Sequence, residues 1–223
     1  GTQKIEMMAK KMFPQARVLR MDLDTTSKKG GHEEILSAFA EGDADILIGT
    51  QMIVKGHDFP DVTLVGVLAA DLSLYTPDYR AAERTFQLLT QAAGRAGRDA
   101  RHGDVIIQTY NPEHYSIVTA AEQDYETFYH QEMAYRRLMK YPPVNVLFTV
   151  QMASKSEAAL VEAADRLAAH ITPQADEEKV QMIGPVDASV YKINDIYRKI
   201  LYLKQENYDI LIKIRDNIDC FQQ

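Results

Sequence analysis

The sequence predicts an α/β protein, a lobe built on a parallel sheet followed by a small α+β sandwich domain, and three observations carry that prediction. Up to residue 109, short apolar runs of strand length alternate with segments of helical periodicity. Tyr141-Pro142-Pro143 then interrupts the chain, because proline fixes φ, lacks a backbone N–H and disfavours helix in the residue before it. Beyond that breaker, period-two strand segments and two amphipathic helical segments return. The expected divisions are a lobe over 1–112, a helical connection over 113–143 and an α+β domain over 144–223.

Taken in order, Ile5 to Met12 reads as a short amphipathic helix stopped by Phe13-Pro14, and Ala16 to Met21 alternates apolar and basic residues as a strand does. Asp22 to Gly31 is a polar loop, with a helix from about His32 to Phe39. His32-Glu33 does not begin a zinc-protease motif, because position 36 is Leu where a second His is required. Asp45 to Ile48 is an apolar run bounded by turn signals, the pattern of a buried parallel strand. Val62 to Ala70 predicts another buried strand, Asp71 to Arg80 a loop at its end, Ala81 to Ala93 a helix and Gly103 to Thr109 a further strand.

In the last half, His114 to Ala121 and Tyr125 to Met139 are helical, Val144 to Met152 is a strand, and Ser156 to Ala169 is a helix whose apolar stripe includes Leu160, Ala164 and Leu167. Val180 to Ile183 and Ala188 to Ile193 read as short strands, Tyr197 to Lys204 pairs back across Asn194-Asp195, and Tyr208 to Asn217 is a final helix. Tyr191, Lys192, Tyr197, Arg198, Lys199, Tyr202 and Lys204 interleave aromatic and basic side chains. Such a pattern can stack bases and neutralise phosphates. Strand tyrosines also serve as sheet-face residues, so both readings stand at this stage.

Composition narrows the class. The chain has 223 residues and no run of about 18 apolar residues, and Gly1-Thr2-Gln3-Lys4 lacks the apolar centre of a signal peptide. The missing initiator Met points to an excised fragment. One cysteine, Cys220, rules out an intrachain disulfide and a multi-cysteine zinc site, and fits a reducing cytoplasm. A net charge of −7 argues against a protein that grips nucleic acid over its whole surface, while leaving room for a local basic channel.

Two stretches carry the chemistry. Gln91-Ala92-Ala93-Gly94-Arg95-Ala96-Gly97-Arg98 closes a helix-forming run, and Gln91, Arg95 and Arg98 share one face if the helix persists. Guanidinium is planar, always charged and suited to bidentate contact with phosphate, so two of them a turn apart fit a phosphoryl group in transfer. Gly94 and Gly97 each cost a helix interior about 1 kcal/mol against Ala, which points to a helix end or to close approach of a ligand. The second stretch, Gly49-Thr-Gln-Met-Ile-Val-Lys-Gly-His-Asp-Phe-Pro60, follows a predicted strand. Ligands of open α/β sheets sit beyond the carboxyl ends of strands. Thr50 and Gln51 offer hydrogen bonds there, Lys55 a charge, Gly56 close backbone approach and Asp58 an acceptor.

The string Q-x-x-G-R-x-G-R resembles the last motif of superfamily 2 helicases, in which arginines act as fingers on ATP held between two RecA-like lobes. With Arg17 to Thr26, Asp45 to Pro60 and Asp71 to Arg80 added, nearly the whole chain resembles the C-terminal part of the PriA family of replication-restart helicases. The resemblance implies a RecA-like second helicase lobe of the P-loop NTPase type, then the family's C-terminal domain. It implies a 3′→5′ DNA helicase, driven by ATP with Mg²⁺, that restarts stalled forks and starts primosome assembly. Arg95, Arg98 and Gln91 would be catalytic, Gly56 and Asp58 would lie near the nucleotide, and Thr50, Gln51 and Lys55 would face DNA. Partners would be forked or single-stranded DNA and primosome proteins, single-stranded DNA-binding protein among them. What departs from the family is the absence here of a G-x-x-x-x-G-K-[ST] loop, an acidic Mg²⁺ motif and the paired cysteines of its zinc module. Half an ATP site, no metal site and no turnover by this piece alone are therefore expected, with zinc confined to the full-length protein. The rival expectation is a recruitment module that binds DNA and protein without a catalytic role, and a Rossmann-type enzyme is set aside because no G-x-G-x-x-G follows a strand.

Overall fold

The computed structural model describes residues 1–22, 24–26, 31–50, 59, 61–94 and 103–221. The chain divides into two compact units, Gly1–Phe128 and Tyr129–Gln223.

The first unit contains two parallel strand pairs. Helix α1 (Thr2–Met12) precedes β1 (Val18–Met21), α2 (Gly31–Ala40) and β2 (Ile46–Gly49). Strands β1 and β2 run parallel, with Val18 opposite Ile46 and Met21 opposite Gly49. Their α2 connection is the long crossover that parallel pairing requires. Met21, Leu36 and Phe59 form the buried centre of this part. Arg20 lies between Glu6 at 3.1 Å and Asp22 at 2.9 Å, and the Thr2 hydroxyl donates to Asp22, so α1 is tied to β1 by polar contacts.

The second pair is β3 (Leu64–Val67) with β4 (Asp104–Ile107), again parallel, with Leu64 opposite Asp104. Between them lie α3 (Asp71–Leu74) and α4 (Ala81–Ala93), and α5 (Tyr115–Ala121) and α6 (Tyr125–Met139) follow β4. Helix α4 buries Ala81, Thr85, Phe86, Leu89 and Ala92, the stripe that a 3.6-residue period places on one side. Phe86 stacks on Phe128 at 4.1 Å, and Ala70, Leu89, Ile117 and Ala120 complete the cluster.

Two expectations are corrected in this unit. The segment over Val62 to Ala70 is not buried throughout: β3 alternates, with Leu64 57% exposed and Val67 packed on the aromatic cluster, because helices among the described residues cover one face of the pair. Asp71 to Arg80 is a loop only from Tyr75 onward, since its first four residues form α3.

In the second unit, β5 (Val146–Ser154), β6 (Gln181–Ile193) and β7 (Ile196–Gln205) form an antiparallel sheet in the order β5-β7-β6. Asn194 and Asp195, both with positive φ, make the two-residue β6–β7 turn. Helices α7 (Glu157–Glu177) and α8 (Tyr208–Phe221) pack Leu167, Ile171, Leu211 and Ile214 against Leu201 and Leu203. The two short strands expected over 180–193 are one strand with register shifts between Ile183 and Val186 and between Asp187 and Lys192. Helix α7 runs past Ala169, carrying Pro173 inside it, because Ile171 and Ala175 continue its buried stripe.

Candidate functional site

Thr50 and Gln91 are the two predicted site residues that the described structure includes. Gln51, Lys55, Gly56, Asp58, Arg95 and Arg98 lie outside the described residues. Thr50 follows the carboxyl end of β2 and is exposed. Gln91 is exposed in the last turn of α4, off the stripe that holds Leu89 and Ala92. The helix delivers the chain to the Gly-Arg motif from a buried footing, with its final turn presenting an amide outward. Gly94 caps it with φ −67°, and its N–H donates to the Thr90 carbonyl at 3.0 Å. A Cβ at Gly94 would meet that carbonyl oxygen at an ordinary 3.5 Å, so local backbone geometry does not demand glycine there.

A residue that sequence reasoning passed over organises the neighbouring strand ends. Asp71, 3% exposed, accepts hydrogen bonds from the Thr109 hydroxyl at 2.7 Å and from the Tyr110 N–H at 2.8 Å. The Thr109 hydrogen bond, then the Tyr110 N–H, hold its carboxyl below the usual carboxylate range. This acid joins the end of β3 to the turn after β4 across thirty-eight residues of sequence. The available signal was a lone acid directly after an apolar strand. The next segment is polar and ordered: Arg84 pairs with Asp78 at 2.7 Å, while the Arg80 guanidinium lies 5.2 Å from the Tyr79 ring centroid and donates from Nε to the Tyr79 hydroxyl at 2.9 Å.

The interleaved tyrosines and lysines of the second unit are largely engaged within the fold. The Tyr191 hydroxyl donates to Glu157 at 2.8 Å, and that hydrogen bond, with burial, pushes its pKa up to about 12. Its ring meets Tyr197 edge-on at 5.5 Å. Lys192 pairs with Asp195 at 3.0 Å, and Lys199 pairs with Asp187 at 2.8 Å. Lys204, 4% exposed, donates to the Met139 carbonyl at 2.9 Å and sits 3.6 Å from the Tyr141 ring centroid, with burial pulling its pKa down. Arg198 and Tyr202 stand outside this set, so sheet packing accounts for most of the pattern. Among the described residues, no group of three or more His, Cys, Asp or Glu side chains is placed to hold a metal ion, and no helix is long and apolar enough to cross a membrane.

In the comparison with known families, residues 2–100 match the helicase conserved C-terminal domain. That match covers most of the first unit. The chain is 51% identical over 208 residues to Replication restart protein PriA of Bacillus subtilis (strain 168), a match covering 92% of this chain and 26% of that protein. It is 43% identical over 205 residues to Replication restart protein PriA of Chlamydia pneumoniae, covering 92% and 27%. For the protein of that name from Synechocystis sp. the figures are 42% over 208 residues, covering 93% and 25%. Over nearly its whole length the chain is similar to one segment of these PriA proteins, and over residues 2–100 to the helicase conserved C-terminal domain. It spans about a quarter of the length of these relatives.

Proposed function

We propose that this chain is the ATPase-completing lobe and C-terminal domain of a 3′→5′ DNA helicase that restarts replication. The observation that carries the reading is the helicase C-terminal domain match over residues 2–100, which ends across the Gly-Arg motif at the foot of α4. In this reading the first unit is a RecA-like second lobe, and the second is a small α+β sandwich. The proposed domain divisions are 1–112, 113–143 and 144–223.

ATP with Mg²⁺ binds mainly to a preceding lobe. Arg95 and Arg98 neutralise charge developing on the γ-phosphate, and Gln91 on the same face orients groups around it. Gly56 and Asp58 lie at the nucleotide, while Thr50, Gln51 and Lys55 follow the DNA backbone. Opening and closing of the cleft then steps those loops along the strand. Arginine fingers accelerate phosphoryl transfer by about 10³- to 10⁵-fold in enzymes of this kind. A single cysteine leaves this chain no donor set for a zinc module, which belongs to the longer protein. The partners are forked or single-stranded DNA and primosome proteins, including single-stranded DNA-binding protein, in the cytoplasm. This chain alone is inactive as an ATPase, because it contains no Walker A or B motif.

The test is DNA-stimulated ATP hydrolysis by the complete two-lobed protein carrying Arg98→Ala, with forked-DNA binding followed in parallel. Turnover falls at least 10³-fold while DNA binding persists if Arg98 serves the phosphates. Unchanged turnover would make the Gly-Arg motif structural and remove the reading's catalytic content.

A further inference from the structure

The segments that follow β3 and β4 carry exposed aromatic side chains and an exposed arginine with no carboxylate ion pair among the described residues. Asp71 opens α3 at the end of β3 and accepts the Tyr110 N–H at the end of β4, so these two surface segments are held together by one buried carboxylate. From this bracket Tyr75 emerges 73% exposed and Tyr110 93% exposed. Both rings stand in solvent although the backbone beneath them is fixed: the Tyr75 N–H donates to the Asp71 carbonyl at 3.2 Å. The turn after Tyr75 leads to Arg80, at the start of α4, and the Ser73 and Thr85 hydroxyls, 2.7 Å apart, tie α3 to that helix.

Arg80 differs from the other described arginines of its unit. Arg17 pairs with Asp45, Arg20 with Glu6 and Asp22, and Arg84 with Asp78. Arg80 has no carboxylate ion pair among the described residues; its side chain rests on Tyr79 and donates to that hydroxyl. Asp78 does not neutralise it, since that carboxylate receives Arg84 and the Arg80 backbone N–H. The exposed side chain is thus held at Nε by the Tyr79 hydroxyl before any ligand arrives, in a chain whose net charge is −7. A preset cation lowers the ordering entropy that a phosphate contact costs.

We propose that these segments form a contact for single-stranded DNA, with Arg80 taking a backbone phosphate and Tyr75 and Tyr110 stacking on bases. The inference rests on the helicase reading and adds residues to it that neither the Gly-Arg motif nor the stretch over 49–60 includes. Exposed aromatics and an exposed arginine on these segments suit an unpaired strand, whose bases are open to stacking and whose phosphates carry the charge.

The test uses the two-lobed protein and a fluorescein-labelled oligo-dT, with anisotropy titrations across a range of salt. Tyr75→Ala and Tyr110→Ala should each weaken binding about 5- to 100-fold with an unchanged salt slope, because stacking carries no counterion release. Arg80→Ala should flatten the slope of log K against log salt by about 0.7, the change for one phosphate contact on a single strand, and Arg80→Lys should restore it. DNA-free ATPase and the thermal melt should stay at the parental values. Parental affinity and slope in all three alanine variants, with the parent still binding DNA, would overturn this contact and leave the helicase reading intact. Affinity lost together with DNA-free ATPase and melting temperature would also overturn it, by showing a structural role. Absence of DNA binding by the parent would overturn both.

Discussion

Phe86 offers a quantitative test of how α4 is held. Its ring is 5% exposed and stacks on Phe128 at 4.1 Å with 12° between the planes. Replacing Phe86 by Ala removes about 150 Å² of buried apolar area, or about 4 kcal/mol at 25 cal/mol per Å². Loss of the stack adds about 1 kcal/mol, giving about 5 kcal/mol, at the upper end of measured Phe→Ala costs in cores. Against a total of about 5–15 kcal/mol for a domain, that change leaves the first unit barely folded. Phe86→Leu keeps most of the aliphatic volume and should cost about 1–2 kcal/mol. The assay is guanidinium denaturation of the chain followed by far-UV circular dichroism. The cluster lies wholly within residues 1–128, so the transition of that unit should move to lower denaturant while the transition of 129–223 stays in place. A double-mutant cycle with Phe128→Ala isolates the pair and should return about 1 kcal/mol of coupling. A cost for Phe86→Ala below about 1 kcal/mol would refute the assignment of this ring as the footing of α4. So would a shift confined to the second unit.

Acid should unfold the first unit before the second. Hydrogen bonds from Arg17 hold Asp45 at about 2, and Asp22, Asp71 and Asp124 also lie below the ordinary carboxylate value. A carboxylate with a lowered folded pKa stabilises fully above its unfolded value of about 3.9 and loses that contribution as pH falls through the folded value. Denaturation midpoints should therefore drop between about pH 4 and pH 2, and Asp45→Asn should flatten that slope; a flat parental profile would contradict the pairing. Absorbance titration at alkaline pH should show one tyrosine ionising near 12, and Tyr191→Phe should abolish that late step, whereas Glu157→Gln should lower it. If the late step survives Tyr191→Phe, the assignment fails. Gly184 has φ +105°, and an added Cβ would meet the Ile200 carbonyl oxygen at 2.8 Å and the Val186 nitrogen at 2.9 Å, both backbone atoms. Gly184→Ala should destabilise the second unit by about 2 kcal/mol or more, whereas Gly42→Ala, at φ +83° in open space, should cost about 1 kcal/mol; equal effects at the two sites would refute the steric argument.

Local patterns settled much of this protein from sequence alone. Helix α4 falls on the predicted Ala81–Ala93 because one apolar stripe at helical period and a glycine after it define both its face and its end. The similarity to PriA proteins, too, was legible, since the strings around Gln91 to Arg98 and Gly49 to Pro60 fix residue type and spacing together. Long-range partners decided the rest. No period in the sequence could place Asp71 under the turn at Tyr110, because that bracket joins segments brought together only by parallel pairing of β3 with β4. The Tyr and Lys series near 191–204 reads as a nucleic-acid surface in one dimension, yet Glu157, Asp187, Asp195 and the Met139 carbonyl, all outside the alternation, engage most of it in the fold. Likewise the gap expected between Ile183 and Ala188 became register shifts inside one strand, since the partner β7 continues through and keeps both halves paired. Sequence fixes what each residue can offer a neighbour; the folded backbone decides which neighbour is there to accept it.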